Sequence, residues 1–189
     1  MTTPKNVSEQ QLMAFFQRID VDNNGTLTPK ELQRVLLNGD WSAFNLDTIE
    51  LLFSLFDSDR TGTIHFNEFV GLWRYIEDWK RIFSAFDADN SGTIEIPELI
   101  TAMKNFGFNI SEQMLKKFVR KYKVSHNTQG RKLMSSELEH AISFDNFVQL
   151  CVTVKTMTDV FRALDQSGSG CAKMSYEQFM EVILFIRMS

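Results

Sequence analysis

One twelve-residue pattern occurs three times in the first hundred residues, and it constrains the fold more than any other feature of the chain. It reads DVDNNGTLTPKE at 20–31, DSDRTGTIHFNE at 57–68 and DADNSGTIEIPE at 87–98, with starts 37 and 30 residues apart. Each copy follows an apolar run ending in Asp (AFFQRID, LLFSLFD, RIFSAFD) and precedes Leu or Phe. A repeated unit of this length, apolar on both flanks and polar within, reads as helix, ligand-bearing loop, helix.

The residue types explain the spacing. A hard divalent cation of calcium's size takes six to eight oxygens. Side chains at loop positions 1, 3 and 5 supply some of them, the carbonyl at 7 another, and position 9 acts through water. A Glu at 12 closes the shell with both oxygens, and a Gly at 6 permits the sharp turn. These are EF-hand loops, and Ca²⁺ is the expected cofactor. The first would use Asp20, Asp22, Asn24, the Thr26 carbonyl, Thr28 through water, and Glu31. The third would use Asp87, Asp89, Ser91, the Thr93 carbonyl, Glu95 and Glu98. The second would use Asp57, Asp59, Thr61, the Thr63 carbonyl, His65 and Glu68. Thr61 is a bulkier, poorer ligand than Asp or Asn, and His65 is unusual at position 9, so the second loop ranks below the other two.

Two later segments fit the same frame in damaged form. FVRKY is followed by Lys123 where a first ligand belongs, and the aliphatic position returns only at Ile142, with Asn146 at position 12. The polar insert 125–139 roughly doubles this loop, and no calcium is expected there. The last loop begins at Asp165, with Ser167, Ser169 and Gly170 at positions 3, 5 and 6. Two extra residues bring Gln178 to position 12. One firm carboxylate holds calcium poorly against water.

This frame predicts an all-α fold of eight helices at 8–19, 29–38, 46–56, 66–86, 96–106, 111–122, 144–164 and 175–188, after a short tail at 1–7. The hands span about 8–39, 46–77, 77–107, 111–155 and 155–188. Pro29 and Pro97 suit helix starts, and Ser111 suits an N-cap. Two stripes at helical spacing read as core: Phe69, Trp73, Ile76, Trp79, Phe83 and Phe86, and then Phe147, Cys151, Val154, Met157, Phe161 and Leu164. Paired hands meet through a short β contact at loop position 8, so Leu27 should pair with Ile64, and Ile94 with Ile142. Met174 then has no partner in the chain. The last helix is apolar at Phe179, Val182, Ile183, Phe185 and Ile186, which favours a homodimer through the fifth hand, with Met174, Phe179, Val182, Ile183 and Ile186 as contacts.

Five hands, an insertion in the last, and the segments LLNGDWSAFN, FVGLWRYIEDWKRIF and SYEQF together resemble the penta-EF-hand family over nearly the whole chain. The resemblance implies an eight-helix fold, dimerisation through the fifth hand, and calcium-dependent engagement of proteins or membranes. A granule-associated, grainin-like branch is one candidate home within the family.

Composition narrows the function. Lys+Arg number 20 against 24 Asp+Glu, so no basic nucleic-acid face is indicated. The two cysteines, Cys151 and Cys171, read as free thiols, and no stretch is apolar enough to span a bilayer. A cytoplasmic protein is expected, with calcium-dependent recruitment to membranes, vesicles or granules. His65, His126 and His140 have no evident nucleophile or acid partner, so the chain reads as no enzyme. The leading function is a calcium sensor and adaptor whose aromatic groove, near Trp41, Trp73, Tyr75 and Trp79, accepts a peptide. A calcium buffer or granule storage protein, and a regulatory subunit of a calcium-dependent enzyme, are the alternatives.

Overall fold

The computed structural model describes residues 7–39, 41–123, 141–165 and 167–188, and their side chains except at Lys123 and after residue 184. Several helices start where a polar side chain caps them. Ser8 opens α1 (Glu9–Ile19) with a capping box: its hydroxyl accepts the Gln11 N–H at 3.3 Å, and the Gln11 side chain accepts the Ser8 N–H. Thr28 does the same with Glu31 for α2 (Pro29–Gln33), and Pro29 occupies its first turn. Asn45 caps α3 (Leu46–Phe56), and Ser111 caps α6 (Glu112–Lys123) by accepting the Met114 N–H. The two 21-residue helices α4 (Phe66–Phe86) and α7 (Phe144–Leu164) each leave one hand and enter the next. The remaining helices are α5 (Ile96–Asn105) and α8 (Tyr176–Met188).

Position 8 of each loop builds the pairing. Strand β1 (Thr26–Leu27) lies antiparallel to β2 (Ile64–His65), with Leu27 opposite Ile64. Strand β3 (Ile94–Glu95) lies antiparallel to β4 (Ala141–Ile142), with Ile94 opposite Ile142. This is the register expected from the loop frame. All four aliphatic residues are at most 1% exposed, so each ladder forms the floor of a pair and fixes which face the helices cover.

One core runs through both pairs. It takes Leu12, Phe16 and Ile19 from α1, Phe69, Leu72, Ile76 and Phe83 from α4, and Phe147, Leu150, Cys151 and Val154 from α7. The first predicted stripe buries Phe69, Ile76 and Phe83 and leaves Trp73, Trp79 and Phe86 half-buried; the second buries Phe147, Cys151 and Val154. The second fades toward its end: Phe161 is 40% exposed, because α7 there reaches the fifth hand, where little packs over it. Cys151 is a buried free thiol whose pKa burial pushes far up, and Cys171 is exposed and free. The insert 125–139, with His126 and the neighbouring His140, lies outside the described residues.

The second helix is shorter than the predicted 29–38. It ends at Gln33, and the chain turns into a tight loop closed by a bridge between Leu37 and Ala43. Asn38 explains the stop. Its N–H donates to the Ser42 carbonyl and its carbonyl accepts the Trp41 N–H, so its backbone groups are spent on the loop. Trp41 sits in the left-handed region at φ 66°.

Candidate metal centre

The loop geometry follows from two anchors. The first is the Asp at position 1. Asp20 accepts the Asn24 N–H at 3.0 Å and the Gly25 N–H at 2.9 Å, one on each carboxylate oxygen. Asp57 takes Thr61 and Gly62 in the same way, and Asp87 takes Ser91 and Gly92. These bonds curl the chain around the carboxylate. The curl needs φ near +80° at position 6, where Gly25, Gly62 and Gly92 sit at 81°, 76° and 81°.

The second anchor is the Glu at position 12. Glu98 accepts the Ala88 N–H on one oxygen at 2.9 Å and the Glu95 N–H on the other at 3.0 Å. Glu31 is held between Val21 and Thr28, and Glu68 between Ser58 and His65. Each such bond uses one lone pair of an oxygen that has two, leaving the other for a cation. Two hydroxyls compete for that room: Thr28 donates to Glu31 at 2.7 Å and Ser58 to Glu68 at 2.7 Å. Neither competitor was visible from the ligand pattern, because position 2 has no ligand role and position 9 was assigned one through water.

The anchors bring the acids together. One carboxylate oxygen from each of Asp20, Asp22 and Glu31 lies within 4.8 Å of the others, and the same holds for Asp57, Asp59 and Glu68, and for Asp87, Asp89 and Glu98. Three hard oxygens at that mutual spacing fit the shell of a calcium-sized ion, with metal–oxygen distances of roughly 2.3–2.6 Å. The position-5 groups are bound within their own loops. Asn24 Oδ1 accepts the Thr26 N–H at 2.8 Å, while Thr61 and Ser91 donate to the position-7 carbonyls of Thr63 and Thr93 at 3.2 and 3.0 Å.

The electrostatics agree with ionised acids. Partial desolvation pushes Glu31 up, but the Thr28 N–H and hydroxyl and the Val21 N–H outweigh it and hold the carboxyl below its ordinary range. Glu68 and Asp57 show the same balance, desolvation against N–H donors from His65 and Ser58 in one case and Gly62 and Thr61 in the other. At Asp89 the Ser91 N–H is the leading cause of a lowered value.

The loops differ in burial and in charge. Asp20 and Glu31 are both buried in the first; in the third Asp87 is buried and Glu98 half-buried; in the second none of the three acids is buried. The second loop also carries Arg60 at position 4 with φ 57°, where the first and third carry Asn23 and Asn90. Asn adopts that conformation readily, and Arg does not. His65 Nε2 stands 3.7 Å from Asp59 Oδ2, so position 9 leans on a ligand acid.

The fifth loop keeps the first anchor. Asp165 accepts Ser169 and Gly170 N–H groups at 3.2 and 2.7 Å. Gln178 takes the second anchor's place, accepting the Ser175 N–H at 2.9 Å, as Glu31 accepts that of Thr28. Segment 171–175 joins no ladder among the described residues. On α8, Tyr176, Phe179, Met180, Ile183 and Leu184 are exposed, while Met174 and Val182 are half-buried; the side chains from Phe185 on, Ile186 among them, lie outside the described residues.

The four aromatics expected to share a groove do not gather in one place. Trp73 packs edge-on against Phe15 with centroids 4.8 Å apart and also meets Phe69. Tyr75 and Trp79 form a second stack with Phe56, Phe106 and Phe147. Trp41 joins neither and is 72% exposed. Trp73 and Trp79 spend their rings on packing because α4 faces a different neighbour at each turn.

A further contact was not legible in the sequence. The loop after α2 rests on the third metal loop: a Cβ on Gly39 would lie 3.0 Å from the Gly92 Cα. The same loop is tied to the fourth hand. The fully buried Asp145 carboxylate accepts the Asn45 N–H at 2.7 Å, and the Asp145 N–H donates to Asn38. The signal lay in the segment LLNGDWSAFN, but nothing in its spacing names a partner.

Known proteins carry the same frame. The EF-hand domain pair family matches residues 9–74, and the EF hand domain family matches 78–106. A sorcin from Schistosoma japonicum is 37% identical over 169 residues, 89% of this chain and 91% of that protein. Human sorcin is 31% identical over 183 residues, 95% of this chain and 85% of the relative. Human peflin is 32% identical over 94% of this chain, which spans only 58% of peflin's length. Among solved structures, a homolog of programmed cell death 6 protein from Leishmania major Friedlin superposes with TM-score 0.74 at 25% identity, covering 94% of this chain and 95% of that one.

Proposed function

The chain belongs to the penta-EF-hand family and is a calcium-binding protein of regulatory type, and on that premise we propose that it is a calcium sensor that engages protein partners when its first, second and third loops fill. Bound Ca²⁺ would supply the positive charge that lets each loop's acids stand side by side. Asp20, Asp22, Asn24, the Thr26 carbonyl and Glu31 hold it in the first loop, and Asp87, Asp89, Ser91, the Thr93 carbonyl and Glu98 in the third. Asp57, Asp59, Thr61, the Thr63 carbonyl and Glu68 form the weaker second site, because its acids are more exposed and Arg60 adds a positive charge.

The observation that carries a sensor reading is helix α4. It begins with Glu68 of the second loop in its first turn and is capped by Asp87 of the third. Any adjustment of either residue acts on one rigid rod, and that rod carries Trp73, Tyr75 and Trp79 into two aromatic stacks. A pure buffer would fill without moving it. Tryptophan emission and binding of an apolar dye, followed through a calcium titration, separate the two. A spectral shift with new dye binding supports the sensor; saturation by calorimetry with neither change makes the protein a buffer.

A second reading concerns assembly. The exposed apolar face of α8 and the unladdered segment before it favour a homodimer through the fifth hand, with Met174, Phe179, Val182, Ile183 and Ile186 as contacts. Light scattering on the purified chain should give twice 21.9 kDa. A monomer that pairs only with another protein would favour a subunit of a calcium-dependent enzyme instead.

A further inference from the structure

The first metal loop contains a chemical step that ion binding does not need. Two Asn–Gly pairs occur in the chain, Asn24–Gly25 and Asn38–Gly39. An asparagine before glycine is prone to lose its side-chain amide. The glycine nitrogen reaches the asparagine Cγ in a five-membered ring, and glycine has no Cβ to hinder the approach. The reaction is ordinarily slow, because a backbone N–H is a poor nucleophile and a carboxamide a poor electrophile.

At Asn24 the fold addresses both deficits. The Gly25 N–H donates to Asp20 Oδ2 at 2.9 Å, so a carboxylate stands on the proton that must leave. Asn24 Oδ1 accepts two bonds from Thr26, from the N–H at 2.8 Å and from Oγ1 at 2.7 Å. Two donors on one carbonyl oxygen polarise it and stabilise the negative charge it gains on attack. The leaving nitrogen, Asn24 Nδ2, donates to Asp22 Oδ2 at 2.9 Å, which fixes the amide's orientation. Asn24 and Gly25 are exposed, so water reaches them. The second pair has the opposite setting. Asn38 is 4% exposed, its Nδ2 donates to Ser42 Oγ at 3.0 Å, and its Oδ1 accepts the Asp145 N–H at 3.0 Å. Position 5 of the second, third and fifth loops is Thr61, Ser91 and Ser169, none of which carries an amide.

We propose that Asn24 is a self-modification site, which deamidates within the folded loop with Asp20 and Thr26 assisting. Gly25 N bonds to Asn24 Cγ, Asp20 passes the Gly25 amide proton to the departing nitrogen, and ammonia leaves. Water then opens the cyclic imide at one of its two carbonyls, giving aspartate or isoaspartate at position 24. Nothing is oxidised or reduced. The aspartate product sets a fourth carboxylate beside Asp20, Asp22 and Glu31, and more ligand charge tightens calcium binding. The isoaspartate product lengthens the backbone by one carbon at position 5 and spoils the loop. The first site therefore changes with the age of the chain. That consequence rests on the calcium-binding reading above, while the covalent chemistry does not.

The test is prolonged incubation of the full chain in chelator at neutral pH, natively and in guanidinium chloride, followed by peptide mass mapping and isoaspartate-specific methyl labelling. The native chain is expected to lose the Asn24 amide at least as fast as the denatured chain, while Asn38 reacts only in denaturant. Thr26→Val removes one of the two donors and keeps the backbone bond. It should slow the native reaction on the order of tenfold and leave the denatured rate unchanged. A native rate at Asn24 well below the denatured rate overturns the proposal, because the ordered loop then protects the amide. So does a Thr26→Val chain that reacts at the natural rate. Calorimetry on Asn24→Asp tests the consequence, with a several-fold gain in affinity expected at the first site. If calorimetry finds no calcium bound, the functional reading fails on its own, and the mass mapping still decides the modification.

Discussion

The first and fifth loops are built on the same backbone and differ in what they hold. In both, an Asp at position 1 accepts the N–H groups of positions 5 and 6: Asp20 those of Asn24 and Gly25, Asp165 those of Ser169 and Gly170. In both, position 6 is a glycine in the left-handed region, at φ 81° and 78°. Asp165 even shares the charge balance of the metal loops. Desolvation raises it, and the Ser167 hydroxyl with the Gly170 and Ser169 N–H groups lowers it further. Yet the first loop converges three acids within 4.8 Å, whereas the fifth has serines at positions 3 and 5 and Gln178 at 12. The turn is set by one carboxylate and one glycine. Metal binding is set by the two further acids, and the fifth hand has kept the former without the latter.

That distinction is open to attack. The largest effect should come from Glu31→Gln, which converts the first loop's closing residue to that of the fifth. Calcium affinity at that site should fall on the order of a hundredfold or more, read by calorimetry, while helix content stays unchanged because the Asp20 anchor remains. If the loop unfolds instead, the turn depends on Glu31 after all. Gly39→Ala comes next. Its new methyl meets the Gly92 backbone, so stability should drop by about 1–3 kcal/mol by denaturant melting, with a weaker third site and an untouched first. The reverse exchange, Gln178→Glu, should gain less than about tenfold in the fifth loop, since serines still fill positions 3 and 5. The smallest change is Arg60→Gly. Relief of the left-handed strain at φ 57° is offset by glycine's chain entropy, for a net gain below about 1 kcal/mol. Loss of the positive charge should tighten the second site a few-fold.

Much of the molecule was legible in the sequence because its determinants are local. Caps at Ser8, Thr28 and Ser111 sit within three residues of the groups they satisfy. The pairing of Leu27 with Ile64 and of Ile94 with Ile142 follows from loop position alone, even across the insert in the fourth hand. The misreadings fall where distant segments meet. Helix α2 stops early because Asn38 serves a loop bound to Asp145, 107 residues on. The aromatic stripe on α4 divides between two stacks because the helix passes from α1 to α7 along its length.

The sequence by itself determined which acids converge in each loop and which loops pair, because those depend on spacing within twelve residues and on one aliphatic position. The tertiary structure decided how deeply each set of acids is buried, what the 36–45 loop leans on, and which helix faces stay open. Those outcomes depend on where remote chain segments come to rest. Gly39 against Gly92 is the plainest case: two glycines in unrelated motifs meet only once both pairs of hands are folded.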